Sequence, residues 1–265
     1  QMLRSLVGSE MCIRDSDRTA ANFLRDFYIS NKIGPALNTI DYFQPYQLNL
    51  PGKMYTFNYS FPSTLRGYDR YAQGDNFVDT QNVASVIDGE IYRESYLIIT
   101  GHLDHVGING DEVYNGADDN GSGTVSILEI AQAFQEAVED GVRPKRSVVF
   151  LHVSGEEEGL LGSEYYVNNS LYPLENTFAT LNLDMIGRTD PNRGYEDEEY
   201  VYSIGSDRIS KELKKISERI NEQTENLKPG KTSSVTAAPP NTCLLSNTKT
   251  FLPAFDKYAA AVNPL

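Results

Sequence analysis

Apolar residues recur along the chain in two patterns, and stretches of one pattern alternate with stretches of the other. Continuous apolar runs bounded by polar or turn residues are typical of buried strands, and they lie at 82–88, 95–100, 147–153, 177–183 and 200–204. Apolar residues spaced three and four apart predict amphipathic helices, and they lie at 18–30, 122–138 and 207–221, with a shorter helix inside 155–169. This alternation predicts an α/β fold, here a three-layer α/β/α sandwich with a mixed, mostly parallel central sheet.

The two ends of the chain lack these patterns. Residues 1–16 show no periodicity and no turn signal, and LVGSEMCIRDS at 6–16 resembles the translated read-through of a sequencing adapter. Residues 231–265 are rich in Ser, Thr, Ala and Pro and contain no clear strand or helix cap. We therefore expect a non-native segment at 1–16, one folded domain at 17–230, and an aberrant or frameshifted tail at 231–265.

The charge balance narrows the range of partners. The chain has 23 basic and 37 acidic residues, which gives a net charge of −14. Nucleic acids and anionic membrane surfaces repel such a chain, so we expect neither as a partner. No apolar run reaches the roughly 18 residues that a transmembrane helix needs. Both cysteines, Cys12 and Cys243, lie outside 17–230, so disulfide bonds contribute nothing to the predicted domain.

Acidic and imidazole side chains recur where predicted strands end or a predicted helix begins. The set comprises His102, Asp119, Glu156, Glu157 and Asp184. In open α/β sheets, ligands bind in the crevice at the carboxyl ends of the strands. Because separate loops bring these residues to that crevice, we expect them to converge at one site.

The residue types fit a hydrolytic metal site. Zinc binds His nitrogen and Asp or Glu oxygen, and a catalytic zinc keeps one position open for water. Two metals about 3.5–4 Å apart need a carboxylate between them. In the adjacent pair Glu156–Glu157, one residue can bind metal while the other takes a proton from water. His102 and Asp104 project to the same side of an extended backbone, so Asp104 can orient the imidazole.

Each of these residues also has a structural interpretation. His102 alone is better explained as a buried core histidine, and Asp118–Asp119 alone is compatible with an acidic pair at a helix N-terminus. Glu156–Glu158 alone resembles a solvated charged run, and Asp184 alone a residue that caps a loop. Their occurrence together at strand ends favours the metal site.

Four nearby residues fit the structural interpretation better. These are Asp118, Glu158, His105 and His152. His152 lies within an apolar strand, where we expect a buried polar group that has a hydrogen-bond partner.

Four segments that contain these residues resemble the zinc aminopeptidases of metallopeptidase family 28. They are GHLDHVG (101–107), YNGADDNGSGT (114–124), SGEEEGLLGSEYYV (154–167) and LNLDMIGR (181–188). The resemblance extends in order and spacing over roughly residues 18–228. It implies a zinc-exopeptidase-like fold, a peptide substrate, and a secreted or periplasmic location, although no signal peptide is visible.

The resemblance also implies a role for each site residue. His102 and Asp184 would bind the first metal, and Asp119 would bridge the first metal and the second. Glu157 would bind the second metal, and Glu156 would be the general base and acid. Asp104 would orient His102.

The chain departs from the family at the second metal. In the family, that metal takes a further ligand, a histidine from a C-terminal loop. The chain has three histidines, and none lies beyond His152. The second site would then have only Asp119 and Glu157, so the catalytic domain at 17–230 would be incomplete at its C-terminal end. We expect this chain to hold at most one metal well, and its own activity to be weak or absent.

These observations favour a metal-dependent exopeptidase that hydrolyses the N-terminal residue from peptides through a metal-activated water, with Glu156 as general base. A glutaminyl-cyclase-like transferase or a carboxypeptidase on the same fold is the first alternative, which assays on aminoacyl-anilides and on an N-terminal glutaminyl peptide would separate. A non-catalytic binding domain is the second. Zinc analysis and a Glu156→Ala variant would distinguish it from an enzyme.

Overall fold

The computed structural model describes residues 16–49, 56–57, 77–109, 112–190, 200–204, 211–223, 228–230 and 242–246. Its helices are α1 (Ser16–Ser30), α2 (Gly121–Glu139), α3 (Leu161–Asn168) and α4 (Lys211–Gln223), with a 3-10 turn at Leu174–Asn176. Its strands are β1 (Gly34–Pro35), β2 (Phe43–Asn49), β3 (Thr56–Phe57), β4 (Phe77–Ile87), β5 (Tyr92–His102), β6 (Gly107–Asn109), β7 (Glu112–Tyr114), β8 (Arg146–Val153), β9 (Thr177–Asp184), β10 (Tyr200–Ile204), β11 (Lys228–Gly230) and β12 (Thr242–Ser246).

One large sheet organises the described part of the chain. Its strand order is β11-β10-β12-β9-β5-β8-β4-β2-β3, and β1 also pairs with β4. β5 lies between β8 and β9 and is parallel to both. The parallel pairing with β8 continues to the last residue of β5, where His102 is opposite Val153. The carboxyl ends of these neighbouring strands therefore meet at the same edge of the sheet.

The sheet is mixed, as the sequence predicts, but the parallel share is smaller than predicted. β10 is parallel to β11 and β12. β12 is antiparallel to β9, and β1, β2 and β8 are all antiparallel to β4. Part of the difference comes from β2, which pairs antiparallel with both β3 and β4.

Helices cover both faces of the large sheet. Successive strand residues point to opposite faces, and accordingly Leu97 and Ile99 of β5 lie in one buried cluster while Ile98 lies in the other. Three helices pack on the first cluster, through residues that include Leu24 of α1, Ile127 of α2 and Leu213 of α4. α3 and the loop after it pack on the second, through Tyr166, Leu171 and Tyr172. This arrangement confirms the predicted α/β/α layers.

The predicted helices and internal strands are present, with shifted ends. The strand predicted at 82–88 starts earlier, at Phe77, and the one predicted at 95–100 spans Tyr92–His102. The helix predicted at 207–221 is described from Lys211 to Gln223, and residues 205–210 lie outside the described ranges. No helix in the described ranges is both long enough and apolar enough to span a membrane.

The ends of the chain differ partly from the prediction. The sequence predicts no strand within 231–265, but β12 lies there, between β9 and β10. Its two neighbours supply its backbone hydrogen bonds, so the strand needs no apolar alternation of its own. Helix α1 begins at Ser16, and the adapter-like residues before it lie outside the described ranges, as does the remainder of 231–265. The division of the chain into three parts stays a prediction.

Candidate metal centre

The predicted site residues lie at one edge of the sheet. His102 is the last residue of β5 and Asp184 the last residue of β9. Glu156 follows β8 after a turn that includes Gly155, whose φ of +70° lies in the left-handed region that glycine adopts readily. Asp119 stands two residues before α2. The structure therefore brings these four residues together at one edge of the sheet.

Three of these residues form a compact group of possible metal ligands. One atom of each of His102, Asp119 and Asp184 can be chosen so that all three lie within 4.8 Å of one another. His102 Nε2 lies 3.0 Å from Asp119 Oδ1 and 3.7 Å from Asp184 Oδ1. His102 and Asp184 are buried, whereas Asp119 is half-exposed. The group is thus closed on the protein side and open towards solvent beside Asp119.

The donor atoms fit a cation. Asp184 Oδ1 is buried and has no hydrogen-bond partner among the described residues, which is costly for a carboxylate oxygen unless a cation compensates it. His102 Nδ1 lies 3.1 Å from the main-chain oxygen of Asp104, an atom that can only accept, so Nδ1 carries the proton of the neutral ring. Nε2 then faces the two carboxylates with a lone pair. One imidazole nitrogen and two carboxylate oxygens are ligands that zinc binds.

The electrostatics of the group also favour positive charge. Burial opposes protonation of His102, but its interactions with Asp104, Asp119 and Asp184 outweigh burial and raise the pKa of the imidazole to about 12. A proton on Nε2 thus stabilises the metal-free chain at the point where three carboxylates approach the ring. A metal ion bound there would take the place of that proton.

Asp104 connects the histidine to the glutamate loop. Its carboxylate accepts hydrogen bonds from the main-chain N–H groups of Glu156, at 3.1 Å, and Glu157, at 3.2 Å. The same carboxylate has one oxygen 3.6 Å from His102 Nδ1, beyond hydrogen-bonding distance. Asp104 therefore contacts the ring through its main-chain oxygen and fixes the loop through its side chain. Its predicted orienting role stays a prediction.

The two glutamates differ in how they relate to the group. Glu156 Oε2 lies 3.9 Å from His102 Nε2, and burial, followed by nearby carboxylates, raises the pKa of Glu156. Burial and repulsion from Asp119 raise the pKa of Glu157 to about 7. Glu157 is not part of the three-ligand group found among the described residues. Its predicted role at a second metal, like that of Asp119 as a bridge, stays a prediction.

The expectation for His152 agrees with the structure. His152 is fully buried in β8, and its Nε2 lies 2.7 Å from the hydroxyl of Tyr28 in α1. Burial lowers the pKa of this imidazole to about 3. His152 is therefore a neutral core residue on the face of the sheet that α1 covers.

Two residues before α2 have contacts that sequence reasoning missed. Asp118, interpreted from the sequence as a plain helix N-terminal acid, accepts from the N–H of Gly187 at 2.8 Å and from Nε of Arg188 at 2.7 Å. Asn120 does more than begin the helix, because its side chain also contacts the backbone on both sides of Asp184. Both sets of contacts join segments more than 60 residues apart, so no local pattern shows them.

The part of the chain that contains this site matches a known family model, and the chain also matches several relatives. The model of peptidase family M28 matches residues 82–238, more than half of the chain, and includes all the predicted site residues. A leupeptin-inactivating enzyme of Streptomyces exfoliatus is 42% identical over 103 residues, which are 38% of this chain and 21% of that protein. A probable zinc metalloprotease of Pyricularia oryzae is 30% identical over 123 residues, which are 45% of this chain and 24% of that protein. The match thus spans less than a quarter of either relative.

A solved structure has the same fold. A leucine aminopeptidase precursor from Bacteroides thetaiotaomicron superposes with a TM-score of 0.58 and 14% sequence identity. The match covers 96% of this chain and 83% of the other. At this identity the likeness shows the fold alone, and it agrees with the α/β/α arrangement described above.

Proposed function

The chain belongs to peptidase family M28, and from this we propose that it is a zinc-dependent exopeptidase that removes the N-terminal residue of peptides. The observation that supports the proposal best is the His102–Asp119–Asp184 group at the ends of parallel strands, with Glu156 beside it. The names of relatives, a leupeptin-inactivating enzyme and a probable zinc metalloprotease, support peptide hydrolysis with zinc.

His102, Asp119 and Asp184 would hold the zinc. When bound, zinc polarises a substrate carbonyl and lowers the pKa of water. The buried oxygen of Asp184 and Nε2 of His102, whose proton the metal would replace, are held in place before metal arrives, because each residue is the last of a sheet strand. The site therefore needs little rearrangement to bind zinc.

Glu156 would carry the proton during hydrolysis. Its carboxylate is within 3.9 Å of His102 Nε2, so it lies close to where water and substrate would meet the group. Burial raises the pKa of Glu156 towards neutral pH. A group whose pKa lies near the working pH can both accept a proton and give it back. Glu156 would take the proton from the attacking water and deliver it to the nitrogen that leaves as the new amine.

The acidic surroundings support the proposed preference for a free N-terminus. Asp119 is half-exposed, and Glu157 is near enough for repulsion from Asp119 to raise the pKa of Glu157. An α-ammonium group on the substrate would be attracted to these carboxylates, whereas an acetylated N-terminus would lose that attraction. We therefore propose cleavage at the first peptide bond rather than inside the peptide.

The proposal is tested with a leucine-initiated peptide, its N-acetylated form, and mass spectrometry of the products over a long incubation at high protein concentration. We expect slow, zinc-dependent release of the first residue from the free peptide only, with chelator abolishing it. Glu156→Gln should retain zinc and lose about 100- to 10,000-fold in rate, since a positioned general base contributes about that much.

The same assay separates the alternatives. Release of the C-terminal residue would identify a carboxypeptidase, and conversion of an N-terminal glutaminyl peptide without hydrolysis would identify a cyclising transferase. No product from any of these peptides with a zinc-loaded chain would contradict the proposal, as would turnover that Glu156→Gln leaves unchanged.

A further inference from the structure

We infer that Asn120 is a positioning residue that sets the orientation of Asp184 within the metal group. The inference rests on the proposed zinc site and concerns a residue outside the three ligands. Asn120 is buried, with 2% of its surface exposed, and directly follows Asp119 in the chain. Its side chain makes three hydrogen bonds, all to main-chain groups.

Two of these bonds hold the peptide groups on either side of Asp184. Asn120 Nδ2 donates to the carbonyl oxygen of Leu183 at 2.8 Å. Asn120 Oδ1 accepts from the N–H of Met185 at 3.2 Å. Rotation of these two peptide planes is what determines the direction of the Asp184 side chain. One amide group therefore fixes both backbone torsions of a predicted metal ligand.

Asn120 acts where the neighbouring strand no longer pairs. The register between β5 and β9 ends at Thr100 opposite Asn182. Beyond that point the main-chain groups of residues 183 and 185 face Asn120, which supplies a donor and an acceptor as a strand would. On the other side, β12 pairs with β9 as far as Asp184, so Asn120 contacts β9 on the side that faces β5. Met185 has a φ of +48°, an uncommon conformation for a residue with a side chain, and its N–H is one of the groups that Asn120 binds.

The third bond ties the same amide to helix α2. Oδ1 accepts from the N–H of Gly123 at 3.0 Å, the geometry of a helix N-cap. The packing is close, since a Cβ on Gly123 would lie 2.4 Å from Asn120 Oδ1 and 2.3 Å from the oxygen of Leu183. Asn120 thus fixes the end of β9 against the start of α2, and with it the spacing of Asp184 from Asp119.

The first test replaces Asn120 with serine. Serine still caps a helix but is too short to hold both peptide groups beside Asp184. We expect Asn120→Ser to remain folded and to weaken zinc binding about 10- to 100-fold, the usual effect of losing a group that orients a ligand. Zinc affinity is measured by competition with a chelator of known affinity, and folding by circular dichroism and urea unfolding.

A double-mutant cycle with Asp184→Ala identifies the route of the effect. If Asn120 acts through Asp184, then Asn120→Ser in the Asp184→Ala background should change zinc affinity by no more than about twofold, because the two losses are not additive. Equal fold-changes in both backgrounds would overturn the inference, as would undiminished zinc affinity in Asn120→Ser.

Ser147→Ala is the matched control for general destabilisation. Ser147 is also fully buried, accepts from the N–H of Gly89 and donates to the oxygen of Arg93, at the opposite end of the sheet. The Ser147→Ala variant should be less stable than the unmodified chain but bind zinc with the same affinity. A loss of zinc affinity comparable to that of Asn120→Ser would overturn the inference. Absence of zinc binding by the unmodified chain would instead contradict the proposed function.

Discussion

Asp104 shows how a residue that need not touch metal can control the site. Its main-chain oxygen receives the His102 Nδ1–H, and its carboxylate receives the N–H groups of Glu156 and Glu157. The ring that would bind zinc and the residue that would carry the proton are therefore both held by one buried residue, the ring through its main chain and the loop through its side chain. The sequence predicted that Asp104 would act on His102, but the contact with the glutamate loop depends on tertiary packing.

Asp104→Asn tests this connection. The amide keeps the size of the side chain but loses its charge and one acceptor, so one N–H of the loop is left without a strong partner. We expect turnover to fall about 10- to 100-fold, as for other changes beside a metal ligand. Asp140→Asn, at the exposed end of α2, is the matched charge control and should leave turnover unchanged. An unchanged rate in Asp104→Asn would contradict the connection.

The buried imidazole of His152 should make the free energy of unfolding depend on pH. Its pKa is about 3 in the folded chain, against an ordinary value of 6.5, because it is buried. Between these values the unfolded chain binds a proton that the folded chain does not, so stability falls as the pH falls from about 6.5 towards 3. The slope from this one group is about 1.4 kcal/mol per pH unit.

His152→Gln is the comparison, since glutamine can bond to Tyr28 but does not titrate. We expect its free energy of unfolding, measured in urea between pH 6 and pH 4, to decline less steeply than that of the unmodified chain by about 1.4 kcal/mol per pH unit. Parallel declines in the two proteins would show that His152 gains a proton in the folded chain as easily as in the unfolded one.

At the scale of helices and strands, prediction from the sequence succeeds where one element has its own apolar pattern. α1, α2, β5, β8 and β9 each bury a continuous run or stripe, and each lies where the pattern places it. β12 has no such pattern, because its place in the sheet comes from pairing with β9 and β10. The strand ends also extend beyond the predictions, since backbone pairing continues past the last apolar residue.

Gly162 links α3 to the loop that contains Glu156. A Cβ at this position would lie 2.3 Å from the main-chain oxygen of Ser154 and 2.5 Å from Asn82 Oδ1, so the backbone before Glu156 must move. We expect Gly162→Ala to lower the unfolding free energy by about 1–3 kcal/mol, as other overpacked sites do. Turnover per folded molecule should fall as well, because the base is displaced.

Gly89→Ala separates these two effects. A Cβ there would lie 2.4 Å from the main-chain carbon of Arg146, at the opposite end of β8 from Glu156. We expect a similar loss of stability in urea unfolding and no loss of turnover once the unfolded fraction is subtracted. Full turnover in Gly162→Ala, or equal losses of turnover in both variants, would show that the loop does not depend on this contact.

At the scale of the molecule, the site follows from sheet topology. Parallel neighbours β8, β5 and β9 end together, so residues far apart in sequence meet there. The sequence predicts the members of the site because each follows the apolar run of a strand or precedes a helix, and resemblance to a family adds their roles. What it does not show is the supporting contacts of Asn120 and Asp118, which depend on how α2 sits against the end of β9.

Zinc should stabilise the whole folded chain. A ligand that binds only the folded state at a concentration 100 times its dissociation constant adds about 2.7 kcal/mol to the free energy of unfolding. We expect this increase in urea unfolding of the unmodified chain, its reversal by chelator, and its absence in His102→Ala. An equal increase in His102→Ala would mean that zinc binds elsewhere.

The most direct test of the metal centre is a crystal of the zinc-loaded chain examined by anomalous diffraction at the zinc edge. We predict a zinc peak within about 2.0–2.2 Å of His102 Nε2 and of one carboxylate oxygen each from Asp119 and Asp184. A peak that lies elsewhere, or no peak while these three side chains keep the arrangement described here, would contradict the account.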